Sequence, residues 1–300
     1  MRVLVSGSTG LIGSQLVRVL RADGVRVQRL VRRPVQRDDE VGWDPAAKCG
    51  PDPNVIRGVD AVVHLSGAGL GDRRWTRRYK AEIRASRVES TRILAETLAA
   101  LDPLPRVFLV ASAVGYYGPY TGDREIDETA PPGSDFLAQV CVEWEAAAEP
   151  ARAAGIRTVH LRSGVVLSTR GGALARILPL FRLGLGARLG DGRQWLSWIA
   201  RPDHVAAIRF LLESDISGAV NLTAPTPVTN AEYTAAIARA LRRPAVLAVP
   251  APVLRCLLGE TAELALASQR VVPRRLLDAG FEFGYPTVEV AIRELVAAEA

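Results

Sequence analysis

The sequence predicts an α/β fold in which a doubly wound parallel β-sheet carries helices on both faces. Over residues 1–165, buried-strand patterns alternate with helical patterns, the order that builds such a sheet with right-handed connections. A glycine-rich turn joins the first strand to the first helix. Beyond Gly164 the alternation gives way to glycine-rich segments, tryptophans and prolines. We therefore expect a parallel-sheet domain over 1–165 and a smaller, mostly helical lobe over 166–300. That lobe includes a C-terminal helical domain near 245–295. The sequence leaves open whether segments after residue 165 return to the sheet.

The regular elements follow from the spacing of the apolar residues. The first strand is an uninterrupted apolar run at 3–5, and the helix after it repeats apolar residues at helical spacing. Glycine, proline and acidic residues mark 119–135 as a surface loop. A helix is expected at 229–242, with Asn230 as its N-cap. The other expected elements are strands at 25–31, 106–111 and 156–162, a buried strand followed by small residues within 59–69, and helices at 76–100 and from 136 onward.

The glycine-rich turn has the spacing GxxGxxG. A strand that feeds a helix through such a turn directs free backbone N–H groups and the positive end of the helix dipole at one point, which suits a pyrophosphate. Glycines also form ordinary tight turns, but the position directly after the first buried strand favours a Rossmann-type dinucleotide site. The candidate cofactor contacts in this turn are Gly7, Thr9, Gly10, Leu11, Ile12 and Gly13.

The end of the second strand bears on which cofactor binds. In NAD sites this strand ends in an acid that accepts hydrogen bonds from ribose hydroxyls, whereas arginines there suit a 2′-phosphate. Residues 30–34 hold no acid but contain Arg32 and Arg33, so the sequence favours NADP over NAD. The alternative is that two arginines fall here by chance in an arginine-rich chain. Small residues after the next buried strand let the backbone approach a cofactor closely, so Leu65, Ser66 and Gly67 are further candidate contacts.

Composition and charge exclude several function classes. The net charge is +6, but acidic residues are interspersed with the basic ones, so we expect no nucleic-acid binding. No apolar run approaches the ~18 residues of a membrane span, and the first strand begins too early to leave room for a signal peptide. We expect no membrane association, a cytoplasmic location, and a monomer or homodimer that acts on a small molecule. The three cysteines and three histidines are scattered, so we expect neither disulfides nor a metal site.

Several motifs together resemble a known family. The segments GSTGLIG (7–13), HLSGAG (64–69) and ASAVGYYG (111–118) are similar to those of extended short-chain dehydrogenases/reductases, the class that contains nucleotide-sugar epimerases. More narrowly, the chain resembles the atypical "epimerase family" members of the NAD-dependent epimerase/dehydratase superfamily, which carry their own short C-terminal domain. The motifs behind this narrower resemblance are WDP at 43–45, FLAxVCxxWE at 136–145, GDGRQWLSWI at 190–199 and SQRVVPRRLLDAGF at 268–281. The resemblance covers essentially the whole chain and implies nicotinamide-dependent oxidoreductase or epimerase chemistry.

The chain departs from this family at its usual catalytic pair. Typical members use Tyr-x-x-x-Lys, in which the lysine lowers the tyrosine pKa so that the phenol exchanges protons near neutral pH. Neither Lys48 nor Lys80 follows a tyrosine at that spacing. Alignment on Glu145 puts Leu137 at the tyrosine position and Cys141 at the lysine position. The loss agrees with the atypical subgroup, and it raises the alternative of a non-catalytic NADPH-binding sensor or regulatory partner protein.

Other residues remain as candidates for the chemistry. By the resemblance, Ser112 stands where a family serine hydrogen-bonds the substrate, although an ordinary strand-end hydroxyl is the alternative. Tyr116 and Tyr117 follow on the same loop and offer phenols from another direction, or else they form a wall.

The candidate substrate contacts are Arg162, Arg193 and Trp195. Either arginine would supply the positive charge that the lost lysine no longer provides. Trp195 would form a flat apolar wall in the segment that closes over the substrate in extended members, or it packs the lobe. Asp203 is expected to order that segment. The leading hypothesis is therefore an NADP(H)-dependent oxidoreductase or epimerase-like enzyme with a small polar substrate.

Overall fold

A computed structural model describes residues 1–298. In chain order its strands are β1 (Arg2–Ser6), β2 (Arg26–Val31), β3 (Glu40–Gly42), β4 (Ala61–His64), β5 (Val107–Ala113), β6 (Arg157–Ser163), β7 (Val165–Leu167), β8 (Ala187–Leu189), β9 (Trp195–Leu196), β10 (Trp198–Ala200), β11 (Gly218–Leu222), β12 (Val228–Thr229) and β13 (Leu247–Val249). Its helices are α1 (Leu11–Ala22), α2 (Pro53–Ile56), α3 (Arg77–Ala99), α4 (Phe136–Ala146), α5 (Glu149–Ala153), α6 (Gly172–Arg182), α7 (Arg201–Glu213), α8 (Asn230–Leu241), α9 (Ala251–Leu258), α10 (Glu263–Leu266), α11 (Arg274–Asp278) and α12 (Val288–Ala297).

Seven strands form the central sheet in the order β11-β6-β5-β4-β1-β2-β3. Every neighbouring pair is parallel. The chain moves outward from β1 through β2 to β3, and then from β4 in the opposite direction. The crevice at the carboxyl ends of β1 and β4 is therefore the topological switch point, where ligands bind in open α/β sheets. β11 returns to this sheet from the second half of the chain and pairs with β6.

Side chains of the central strands point alternately to two helical layers. In β1, Val3 and Val5 pack on the layer of α1 and α7, whereas Leu4 between them packs on the layer of α3 and α4. All three side chains are fully buried. Burial on both faces explains why this strand is an uninterrupted apolar run in the sequence.

Residues beyond β6 build a second, smaller core. Phe181 of α6, Trp198 of β10, Tyr233 of α8 and Ile292 of α12 are buried in it together. Three two-stranded sheets, β10-β7, β12-β9 and β13-β8, link the segments of this lobe. The predicted fold class is thereby confirmed: a parallel sheet with helices on both faces and a helical C-terminal region.

The N-cap of α8 is Thr229, not the expected Asn230. Thr229 forms a capping box with Glu232, in which each side chain satisfies a backbone N–H of the other residue. The Asn230 side chain instead accepts a hydrogen bond from the Leu189 backbone N–H at 2.9 Å. Across residues 1–298, none of the helices has both the length and the apolar character that a membrane crossing requires.

Candidate functional site

The glycine-rich turn after β1 leaves no room for a side chain at Gly7 or Gly13. Gly7 has a φ of +64°, and a Cβ there would lie 2.7 Å from the carbonyl oxygen of Leu65. A Cβ on Gly13 would lie 2.2 Å from the carbonyl oxygen of Gly7. Helix α1 begins after Gly10 without a side-chain cap, so the first N–H groups of the helix lack that acceptor. The turn therefore presents backbone donors and a helix dipole to an anion.

A pocket of about 1090 Å³ opens beside this turn, at the switch point of the sheet. It runs from the turn past the ends of β2 and β4 to the middle of α3. Most of the predicted cofactor contacts line it, whereas Leu11, Ile12 and Gly13 are not among the described residues that do so. The predicted contacts in the lining are Gly7, Thr9, Gly10, Arg32, Arg33, Leu65, Ser66 and Gly67.

The two arginines at the end of β2 have different surroundings. Arg33 donates to both carboxylate oxygens of Glu40, at 2.6 and 2.9 Å, and Arg29 donates to the same carboxylate at 2.9 Å. Hydrogen bonds from Arg33 and from the Gln36 backbone N–H lower the pKa of Glu40 to about 2. Arg32 is exposed, and no hydrogen-bond or ion-pair partner for its side chain occurs within residues 1–298. The nearby acid is thus already paired, while Arg32 is available to a bound anion.

The sequence reasoning missed the part of the pocket that follows β3 and the part contributed by α3. Trp43 and Pro45 line the pocket, and their only sequence signal is the WDP motif. Lys48 follows in a left-handed conformation with a φ of +56°. Its side chain is exposed and has no ion-pair partner in the described part of the chain. Lys48 is therefore, after Arg32, a second unpaired cation in the described lining of this pocket. Helix α3 contributes Glu82, Ala85, Ser86, Glu89, Ser90 and Arg92.

A buried arginine of α3 supports the loop after β4. Arg87 donates to the carbonyl oxygens of Ala68 and Ile83, at 3.0 and 3.1 Å, and lies over the ring of Trp144. Burial lowers the pKa of this guanidinium, and the 298 described residues provide no carboxylate partner for it. Its hydrogen bond to Ala68 fixes the backbone of a loop that lines the pocket.

A buried polar cluster lies at the carboxyl ends of β5, β6 and β11. Ser112, Arg162 and Asn221 are register partners on these three strands, so their side chains lie side by side. Arg162 donates to both carboxylate oxygens of Glu145, each at 2.8 Å. The Ser112 hydroxyl donates to the same carboxylate at 2.7 Å. We refer to these four residues, with Tyr117, as the polar cluster.

The two candidate tyrosines have different environments. The Tyr117 hydroxyl donates to Asn221 Oδ1 at 2.7 Å and accepts from Arg162 Nη1 at 3.1 Å. Burial raises the pKa of Tyr117 to about 12. Tyr116 is only partly buried, and the guanidinium carbon of Arg162 lies 3.4 Å from its ring centroid. Its hydroxyl makes no hydrogen bond within the described chain. Tyr117 therefore belongs to the polar cluster, and Tyr116 is the phenol with an uncommitted hydroxyl.

The positions aligned with the missing Tyr-x-x-x-Lys pair lie against the turn after β5. A Cβ on Gly115 would be 3.5 Å from Leu137 Cβ and 3.9 Å from Cys141 Sγ. Cys141 is buried, and burial raises the pKa of its thiol to about 12. It is therefore an uncharged thiol at neutral pH and does not replace the positive charge of a lysine.

The structure brings Arg193 and Trp195 neither to the pocket nor to the polar cluster, and Arg162 belongs to the polar cluster without lining the pocket. Arg193 is exposed on the turn between β8 and β9. The Trp195 indole N–H donates to Asp123 at 2.8 Å, in the loop before α4. Neither residue lines the pocket beside the glycine-rich turn. Of the three predicted substrate contacts, only Arg162 joins other candidate site residues.

Asp203 orders a different segment from the one expected. It lies in the first turn of α7, where its carboxylate accepts from the backbone N–H groups of Gly284 and Tyr285 at 3.0 and 2.9 Å. Burial raises the pKa of this carboxyl group. Asp203 thus fixes the segment before α12, not the 190–199 segment.

Two family models match the chain. The NAD dependent epimerase/dehydratase family matches residues 3–223, and a domain of unknown function (DUF1731) matches residues 249–295. Epimerase family protein Mb2239 of Mycobacterium bovis is 46% identical over 293 residues, which cover 97% of this chain and 96% of that protein.

Two solved structures are similar over nearly the whole chain. Human epimerase family protein SDR39U1 (isoform 2), solved with NADPH, has a TM-score of 0.90 and 34% identity, with 99% of each chain covered. A nucleoside-diphosphate sugar epimerase from Corynebacterium glutamicum has a TM-score of 0.81 and 36% identity. That match covers 98% of this chain and 58% of the other.

Proposed function

Because this chain belongs to the NAD-dependent epimerase/dehydratase family, we propose that it binds NADP(H) in the pocket beside the glycine-rich turn. We further propose that it acts as an oxidoreductase or epimerase-like enzyme on a small polar molecule. The family and its short C-terminal domain, which the sequence motifs indicated, are confirmed. One observation carries the choice of cofactor: Arg32 and Lys48 are unpaired cations in the described pocket, while Glu40 is already paired.

The cofactor would occupy two parts of the pocket. The turn around Gly7 and Gly10 would hold the diphosphate, since backbone donors and the start of α1 meet there. Arg32 and Lys48 would receive the 2′-phosphate, with Arg33 kept beside them by Glu40. The similar human protein was solved with NADPH, which supports the same preference here.

For the chemistry, we propose Tyr116 as the group that exchanges a proton with the substrate. The bound cofactor supplies hydride transfer. The Arg162 guanidinium packs against the Tyr116 ring and so holds this phenol beside the polar cluster. The hydroxyl groups of Ser112 and Tyr117 donate hydrogen bonds to Glu145 and Asn221, respectively. We therefore propose that Ser112 and Tyr117 are positioning residues.

The first test is to titrate the protein with NADPH and NADH. The second is to incubate it with fractionated small metabolites and NADPH that carries an isotope label on its transferable hydride. We expect tighter binding of NADPH and transfer of label to at least one metabolite. Tyr116→Phe should abolish the transfer and keep NADPH affinity. An equal affinity for both cofactors would contradict the NADP assignment, and unchanged transfer by Tyr116→Phe would remove Tyr116 from the chemistry.

The second candidate function is a non-catalytic NADPH-binding sensor. It is favoured by Leu137 and Cys141, which place an apolar side chain and an uncharged thiol at the positions of the usual pair. Under this function NADPH binds but no label reaches any metabolite. The label-transfer experiment therefore separates the two functions.

A further inference from the structure

Three arginines meet on the side of the molecule where α1, the segment after β7 and the start of α7 come together. Strand β10 pairs in parallel with β7, with Ala200 opposite Leu167, so Arg201 follows next to the segment that contains Arg170. That segment lies on the first turn of α1, because a Cβ on Gly172 would be 3.3 Å from the side chain of Leu11. Arg18 lies two turns further along the same face of α1.

None of these three guanidinium groups has a counter-charge. Arg18 and Arg170 are exposed, Arg201 is partly buried, and no carboxylate within residues 1–298 pairs with any of them. Burial lowers the pKa of Arg201, and the positive charges of Arg170 and Arg18 lower it further. Arg209 of α7, by contrast, forms an ion pair with Asp23.

Two buried polar atoms at this junction also lack partners. Arg201 Nε and Gln15 Oε1 are both buried and make no hydrogen bond in the described structure. Gln15 lies one turn after Leu11 and one turn before Arg18, on the α1 face that carries both. Buried polar groups in native proteins are almost always satisfied, so these two atoms beside three uncompensated charges are open to a polar ligand.

We propose that Arg18, Arg170 and Arg201 form a binding site for a phosphate group. A guanidinium matches phosphate oxygens with paired, charge-assisted hydrogen bonds. Helix α7 begins at Arg201 without a side-chain cap, so its dipole adds positive potential at the same place. None of the three arginines is among the residues that line the pocket assigned to NADP(H).

The bound phosphate group could come from two sources, which a binding experiment distinguishes. It is carried by a separate small anion, such as inorganic phosphate or a phosphorylated metabolite, or it is the diphosphate of the dinucleotide itself, because the Arg170 segment lies on Leu11 at the glycine-rich turn. The recognition chemistry is the same in both cases. The existence of the site does not depend on the proposed enzymatic activity.

The test uses the full chain and inorganic phosphate, titrated by calorimetry at low ionic strength with and without saturating NADPH. Arg170→Gln and Arg201→Gln should each weaken phosphate binding by ~10-fold or more, since each removes a charge-assisted hydrogen bond. Arg57→Gln, which removes an exposed arginine with no described side-chain partner, is the matched control and should leave phosphate binding unchanged.

The two sources give different outcomes, each of which supports the site. An affinity for phosphate that NADPH leaves unchanged identifies a separate ligand. Competition between phosphate and NADPH identifies the cofactor's diphosphate, and then both variants weaken NADPH and NADH equally. The proposal is overturned if the variants leave both phosphate and dinucleotide binding unchanged.

A stability measurement keeps the test independent of misfolding. In phosphate-free buffer Arg201→Gln should raise Tm, because it removes one of three mutually repelling charges. The same variant should lose the rise in Tm that phosphate gives the unmodified protein. A fall in Tm without phosphate, together with an unchanged response to phosphate, would show that Arg201 serves packing alone.

Discussion

The guanidinium of Arg33 binds both carboxylate oxygens of Glu40, at 2.6 and 2.9 Å, across the pairing of β2 with β3. An unpaired acid at this place would repel a 2′-phosphate, but Glu40 is buried and shared with Arg29. The pair neutralises the Glu40 carboxylate beside the pocket and holds Arg33 beside Arg32. Under the proposed function, the preference for NADPH would therefore depend on Arg32, which follows β2, and on Glu40 of β3.

Arg32→Ala should lower the preference for NADPH over NADH by ~10-fold or more, because one charge-assisted contact to the 2′-phosphate is lost. NADH affinity should change little. Direct titration with both cofactors measures the ratio. Arg26→Ala, which removes an exposed arginine at the opposite end of β2, is the matched control. A ratio that falls equally in the control would indicate a general effect of net charge.

Gly13→Ala should abolish dinucleotide binding and lower the free energy of unfolding by ~2 kcal/mol or more, because the new Cβ overlaps backbone that cannot move away. The Cβ would lie 2.2 Å from the carbonyl oxygen of Gly7. Gly10→Ala is the matched comparison, with its Cβ 3.2 Å from the same oxygen, and should cost clearly less. Urea unfolding and cofactor titration of both variants test the order, and equal losses would contradict it.

Glu145→Gln and Arg162→Met should each destabilise the protein strongly, by ~3–5 kcal/mol, because each leaves a buried charge without its partner. The Arg162 and Glu145 side chains are only 5% and 12% exposed. The double variant should cost less than the sum of the single ones. Chemical unfolding of all four proteins completes the cycle, and strictly additive losses would mean that the two residues do not act as a pair.

Stability should fall as the pH drops below about 6.5, because two fully buried histidines stay neutral in the folded state. Burial lowers the pKa of His64 to about 3 and that of His204 to about 4. Between the ordinary histidine pKa and these values only the unfolded chain binds the protons, so each histidine removes about 1.4 kcal/mol of stability per pH unit. His204→Gln should reduce the slope between pH 6 and pH 5, as measured by urea unfolding. An unchanged slope would show that His204 is protonated in the folded protein.

The features that the sequence predicted correctly are local ones. The turn around Gly7, Gly10 and Gly13 takes its shape from a short stretch of chain, and the strand before it is buried on both faces, so pattern and spacing were enough. The same holds for the long helix expected at 76–100, which the structure places at Arg77–Ala99.

The features that the sequence did not reveal depend on how strands pair and how loops pack in the folded chain. Glu40 reaches Arg33 only because β3 pairs with β2, and Asn221 reaches Tyr117 only because β11 pairs with β6. The sequence predicts Trp195 as an apolar wall, whereas in the structure its indole nitrogen lies within hydrogen-bonding distance of Asp123. Residue types and spacing carry no signal for such partners.

Strand β11 makes the two halves of this chain inseparable. Its residues 218–222 complete the edge of the central sheet and supply Asn221 to the polar cluster, although the smaller lobe begins before this strand in the chain, with β7 and α6, and continues after it. A fragment that ends after β6 would expose a bare strand edge beside an unsatisfied tyrosine, which favours self-association. The chain must therefore extend through β11 before the central sheet has all seven strands. Transfer of the smaller lobe to another protein would also transfer β11, a strand of the central sheet.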